Sequence, residues 1–149
     1  MGKPVQMITF VDANLMHDVS IGRSVTGILH LMNKTPIDYH TKIQSTVETA
    51  TFGSEFVAAR TATEQIMDLC LTLRYLGAQI QGPSFLFGDN KSIVKSGTIP
   101  RAKLHKRHVL LSFHWVREAI AAGITRFIHV KGSDNPADIL TKAWGYQQV

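Results

Sequence analysis

Cysteine is nearly absent from this chain. Cys70 is the only one among 149 residues. No intramolecular disulfide can form, and no cysteine-based zinc site exists. One thiol in an apolar helical stretch fits a reducing, intracellular compartment. No apolar run approaches the roughly 20 residues that span a membrane. The N-terminus also lacks the apolar core of a signal peptide, so no membrane partner is expected. Met1-Gly2 opens like a myristoylation signal, but position 6 is Gln where Ser or Thr is needed. There is no internal repeat, low-complexity tract or clear linker, and one domain over residues 1–149 is the expectation.

What is present is an ordinary folding composition with a basic balance. Hydrophobic residues make up 44% and the net charge is +5. The pI is near 9.6 and the mean hydropathy is +0.02. An excess of positive charge suits a polyanion such as nucleic acid.

Hydrophobic patterning orders the chain as βββ-α-β-α-α-β-α. Strands are expected at Val5–Val11, Gly27–Met32 and Pro36–His40, with a hairpin turn at Asn33-Lys34-Thr35. A long helix is expected from about Val47 to Leu76. Phe52, Phe56, Ala59, Ile66, Leu69, Leu73 and Leu76 recur there at helical spacing, and Gly77 is a natural stop. A strand at Phe85–Phe87 and a short helix closed by Gly97 follow. Next come a helix from Leu104 to Ala122 and a strand at Thr125–Val130. Pro136 opens a last helix. A strand meander followed by α/β units implies a five-stranded mixed sheet flanked by helices.

Four carboxylates stand where folding does not ask for them. Asp12 and Asp89 each end an apolar run, Glu55 lies beside Phe56 on the long helix, and Asp138 opens the last one. Converging acids repel, and burying them is costly. A hard divalent cation offsets both effects, because Mg²⁺ takes oxygen ligands. Taken singly, each acid also has a local role. Asp12-Ala13-Asn14 can form a turn, Asp89-Asn90 can cap a helix, and Asp138 suits the helix dipole. Glu48, seven residues before Glu55, falls on nearly the same helix face and competes with it as a ligand. The order Asp, Glu, Asp, Asp on strand, helix, strand and helix points to metal-assisted phosphoryl chemistry.

Lys103, Arg107, His114 and Arg117 share one helix face, with Lys106 and His108 close by. Such a face tracks phosphates or is simply solvated. His105 and His108 are three apart but lack further His or Cys partners, which favours surface or substrate-contacting roles over metal binding. Arg23, Ser24 and Thr26 can reach backbone phosphates or 2′-hydroxyls, or can be polar strand-face residues. Trp115 and Trp144 read as packing anchors.

Six segments, in order, resemble the ribonuclease H domain that ends the polyprotein of copia-type LTR retrotransposons. Phe10-Val11-Asp12-Ala13 resembles its opening strand. Arg23-Ser24-Val25-Thr26-Gly27 resembles its RxSxSG-like second strand, and Ser54-Glu55-Phe56-Val57-Ala58-Ala59 its AEYxAA helix. Gly88-Asp89-Asn90-Lys91-Ser92-Ile93 resembles the CDNxxA segment. Lys106-Arg107-His108 with Phe113-His114-Trp115-Val116-Arg117-Glu118 resembles the KHI…HFxRE helix. Asn135-Pro136-Ala137-Asp138-Ile139-Leu140-Thr141-Lys142 is similar to the NxADxxTK ending.

The resemblance implies an RNase H-like fold and cleavage of the RNA strand of RNA–DNA hybrids, leaving 3′-hydroxyl and 5′-phosphate ends. It implies two Mg²⁺ ions, replaceable by Mn²⁺. Asp12 and Asp89 would bridge or flank them, with Glu55 and Asp138 completing one site each. The AEYxAA context favours Glu55 over Glu48. Asn90 joins Arg23, Ser24, Thr26, Lys103, Lys106, Arg107, His108 and His114 as expected nucleic-acid contacts. An attached reverse transcriptase is the expected partner, in the cytoplasm or a virus-like particle, and a monomer is expected of the isolated domain.

There are departures from the family pattern. Asn14-Leu15-Met16 replaces the usual acid and Trp, and Leu110 replaces an Asp. Gly132-Ser133-Asp134 offers no His before the final helix, although His129 is near. The competing reading is a nucleic-acid-binding relic, or a structural support for a reverse transcriptase.

Overall fold

The computed structural model describes residues 4–18, 22–45, 51–98 and 110–142, with the side chains of 16–18, 51 and 110 left aside. The elements are β1 (Met7–Asp18), β2 (Arg23–Met32), β3 (Thr35–Ile43), α1 (Thr51–Tyr75), β4 (Ser84–Gly88), α2 (Lys91–Thr98), α3 (Leu110–Ala121) and β5 (Thr125–His129). Two 3₁₀ turns follow, at Gly132–Asp134 and Pro136–Thr141. The five strands lie in the order β3-β2-β1-β4-β5. The meander pairs are antiparallel, while β1 with β4 and β4 with β5 are parallel. The expected mixed sheet is therefore present.

Strand alternation builds the core. Met7, Thr9 and Val11 of β1 are fully or almost fully buried, as are Ile28 and His30 of β2. Met7, Val11 and Ile28 join Phe56, Ala59, Ala62 and Ile66 of α1 in one apolar cluster. Phe56 packs edge-on against Phe52 and against Phe113 of α3, with ring centroids 5.0 and 5.6 Å away. Fully burying one such side chain contributes roughly 1.5–3 kcal/mol, so this stripe clamps α1 to the sheet. A polar bridge lies within it. His30 Nδ1 is 2.8 Å from Thr9 Oγ1, and His30 Nε2 is 2.8 Å from Gln65 Oε1. Gln65 Oε1 only accepts, so Nε2 carries the proton. Burial pushes the His30 pKa down and keeps the ring neutral.

Several boundaries differ from the sequence reading. β1 does not stop at Val11 but runs to Asp18, and β2 starts at Arg23. Beyond Asn14 and Val25 their ends pair as a two-stranded ribbon, with a register break between Asn14 and Asp18. Hydrophobic alternation marks only the part of a strand that meets the core, so the ribbon was not visible in it. Gly97 does not close α2; it lies inside the helix, where an added Cβ would stand 3.5 Å from Ile120 Cδ1. The final helix is a 3₁₀ turn. The turn at Asn33 is as expected, with Asn33 at φ 57°, a conformation Asn tolerates. Among the described residues no helix is long and apolar enough to cross a membrane.

Candidate metal centre

Two adjacent parallel strands place the first two acids. Phe10 of β1 is in register with Phe87 of β4, and their rings stack at 5.2 Å. Asp12 and Asp89 each lie two residues beyond that pair, so both emerge at the same end of the sheet. Glu55 projects from the first turns of α1. One carboxylate oxygen each from Asp12, Glu55 and Asp89 lie within 4.8 Å of one another. Asp12 and Glu55 are both only 6% exposed. Together with Asn90, Lys91, Asp138 and Lys142 they line an open cleft of about 500 Å³.

Asp138 arrives by a different route. Asn135 caps the final 3₁₀ turn, accepting from the Ala137 N–H at 3.1 Å. Its Nδ2 donates to the Val11 carbonyl at 3.0 Å, which ties the turn to β1 beside Asp12. Gly27, in register with Asp12, permits the approach. A Cβ there would lie 2.8 Å from Thr141 Cγ2 and 2.9 Å from the Ala137 oxygen. Thr141 then donates its hydroxyl to Asp12 Oδ2 at 2.8 Å. Asp138 stays outside the close trio and accepts from Lys142 Nζ at 2.6 Å.

Burial and mutual repulsion disfavour ionisation of these acids. Burial pushes Glu55 up to about 9, and the nearby Asp12 and Asp89 add to the rise. Asp12 rises to about 6 through burial, with the Thr141 hydrogen bond opposing and the charges of Asp89 and Asp138 assisting. Asp89 is also raised, mainly by burial. Lys142 rises because Asp138 accepts its hydrogen bond. A group that disfavours its own ionisation is stabilised by a nearby divalent ion. All donors are oxygens, which fits Mg²⁺ and excludes a soft-metal site.

No protein-family model matches the chain. It is 25% identical over 141 residues to the retrovirus-related Pol polyprotein from transposon RE2 of Arabidopsis thaliana, covering 95% of this chain. It is 26% identical over 133 residues to that from transposon TNT 1-94 of Nicotiana tabacum, covering 89%. The chain spans about a tenth of the length of each of these relatives. Among solved structures, the N-terminal RNase H domain of rv2228c from Mycobacterium tuberculosis superposes with a TM-score of 0.69 at 13% identity, covering 92% of this chain and 91% of that one. LC11-RNase H1, solved with an RNA/DNA hybrid, superposes at 0.68 and 16% identity, covering 91% and 93%. This chain has an RNase H-like fold and is similar in sequence to retrotransposon Pol polyproteins. The same fold forms part of the prototype foamy virus protease-reverse transcriptase, where 95% of this chain matches 21% of that one at a TM-score of 0.64 and 15% identity.

The expected nucleic-acid contacts are distributed unevenly over this fold. Arg23 and His114 are exposed. Ser24 and Thr26 are not at the surface: they are 0% and 3% exposed, and Thr26 Oγ1 accepts from Gln44 Nε2 at 3.0 Å. The expectation that their hydroxyls meet a nucleic-acid backbone is corrected here, because β2 is buried on both faces from Ser24 to Ile28. Asn90 borders the cleft, and its Oδ1 accepts from the Ser92 N–H at 3.0 Å, capping α2. That leaves its NH₂ group as a donor. Arg117 lies over the Phe113 ring at 5.0 Å. Trp115, read as a packing anchor, is 37% exposed. Lys103, His105, Lys106, Arg107, His108, Glu48 and Trp144 lie outside the described residues. His129 sits at the end of β5 and donates from Nε2 to the Asp89 carbonyl at 3.1 Å. Thr141 and Lys142 had no assigned role in the sequence, although both stand in the segment that resembles the NxADxxTK ending.

Proposed function

We propose that this domain hydrolyses the RNA strand of RNA–DNA hybrids with Mg²⁺ as its cofactor. The observation that carries the reading is the trio Asp12, Glu55 and Asp89, whose oxygens lie within 4.8 Å of one another while two of the three residues are buried. The hybrid-bound LC11-RNase H1, of the same fold, supports the choice of substrate.

Asp12 and Asp89 would hold two ions between them, with Glu55 and Asp138 completing one site each. Bound there, the ions would activate water and stabilise the leaving oxygen, giving 5′-phosphate and 3′-hydroxyl ends. The protein's own residues set the conditions. Thr141 keeps Asp12 oriented and opposes its protonation. Glu55, with its pKa near 9, gives up a proton before it can act as a ligand. Asn90 and Lys91 border the cleft where a phosphodiester would lie. A reverse transcriptase segment of the same polyprotein is the natural supplier of further hybrid contacts.

The test is cleavage of a labelled hybrid in Mg²⁺ by wild type and Asp89→Asn. Cleavage by wild type and its loss in the variant support the reading. Equal, negligible cleavage by both, with hybrid binding intact, would leave a binding role in its place.

A further inference from the structure

We propose that Lys142 is a built-in counterion of this centre: its ammonium holds Asp138 while no metal is bound and gives it up to an incoming divalent cation. The inference rests on reading the four acids as a metal site.

Three observations meet at this residue. First, Asp138 is the one acid of the four outside the close trio, and its Oδ2 is engaged by Lys142 Nζ at 2.6 Å. Second, the backbone carrying Asp138 is pinned to β1 on both sides. Asn135 holds the Val11 carbonyl before it, and Thr141 holds Asp12 Oδ2 after it. The acid's mount is therefore fixed, and the lysine side chain is the part free to swing. Third, the pair is open to solvent, with side-chain exposures of 56% for Lys142 and 35% for Asp138. An exposed pair at i,i+4 spacing costs little to open. Lys142 and Asp138 line the same cleft as the trio, so a cation entering it meets the ammonium as a like charge. Asp138 Oδ2 cannot serve both. Lys142 thus sets how readily the fourth acid joins the metal, and with it the affinity of the ion that Asp138 completes.

The experiment is titration of the whole 149-residue chain with Mn²⁺, read by the electron paramagnetic resonance of the free ion, without substrate. Lys142→Gln should tighten the weaker binding step about two- to fivefold, the scale for losing an exposed ion-pair competitor. Lys142→Arg should bind as wild type does. Lys91→Gln, which removes a charge from the same cleft, should change binding less than Lys142→Gln. In an Asp138→Asn background, the gain from Lys142→Gln should shrink to that of Lys91→Gln, the through-space charge effect alone.

The inference is overturned if Lys142→Gln binds no tighter than wild type, or if its gain is undiminished in the Asp138→Asn background. If Asp12→Asn abolishes Mn²⁺ binding while Lys142→Gln matches wild type, only this inference falls. If none of the chains binds Mn²⁺, the metal reading of the trio falls with it.

Discussion

Two polar clusters lie between α1 and β1, one reaching across to β2 and the other to the end of β4, and they obey opposite rules. In the first, His30, Thr9 and Gln65 satisfy one another at 2.8 Å, and no ionised group is enclosed. In the second, three residues along β1 and ten along α1, Asp12, Glu55 and Asp89 crowd like charges. The first is how a fold keeps a polar group in its core: each donor meets an acceptor. The second does the reverse: burial and the neighbouring acids raise the pKa of Asp12 and Glu55, and the hydrogen bonds to Asp12 from Thr141 and the Ala13 backbone offset this only in part. Strain of this kind persists where something outside the fold relieves it.

Neutralising one acid breaks the contrast most sharply. Asp89→Asn should lower hybrid cleavage at least a hundredfold, since even outer-shell changes at metal sites cost about 10–100-fold. The same substitution should leave the metal-free fold as stable as wild type, or more so, in urea unfolding. The satisfied cluster should respond in the other direction. His30→Leu leaves Thr9 and Gln65 without their partner, and urea unfolding should show a loss of about 1–3 kcal/mol. Its cleavage per folded molecule should stay near wild type.

Gly27→Val strikes the mount that brings Asp138 in. Overpacking against Thr141 and the Ala137 carbonyl should cost roughly 1–3 kcal/mol, and cleavage should fall even where the variant is fully folded. Thr141→Val is the mildest change. It keeps the shape and deletes the hydroxyl on Asp12, so the Asp12 pKa should rise further, visible by carbon-13 NMR of its carboxyl. Mg²⁺ affinity should weaken by up to about tenfold, the lower end for an outer-shell contact.

The contrast also shows what a sequence carries. Asp12 and Asp89 were legible because each follows an apolar run that must be a strand, and parallel pairing of those runs brings the acids together. The burial of Ser24 and Thr26 was not legible, because β2 is covered on both faces from Ser24 to Ile28 and no alternation marks them. Other features depend on contacts distant in sequence. The hydroxyl of Thr141 on Asp12 joins residues 129 apart. Gly27 looks like any strand glycine until the last turn is seen against it. The last element is too short for periodicity to separate a 3₁₀ turn from an α-helix. The pairing of Lys142 with Asp138 follows from their spacing alone, yet nothing in the sequence says that Asp138 faces a metal site.

The central claim, that the buried trio is held for a cation, is tested most directly by thermal unfolding against pH with and without Mg²⁺. Glu55 and Asp12 have folded pKa values near 9 and 6, above their ordinary 4.5 and 3.8. Between those limits the folded state binds more protons than the unfolded state, so metal-free stability should fall as pH rises toward 9. Mg²⁺ should restore it at the alkaline end, raising Tm by several degrees at about 2–4 °C per kcal/mol, and Glu55→Gln should flatten the metal-free slope. A metal-free Tm that does not fall across this range, together with no Mg²⁺ effect at pH 9, would contradict the account.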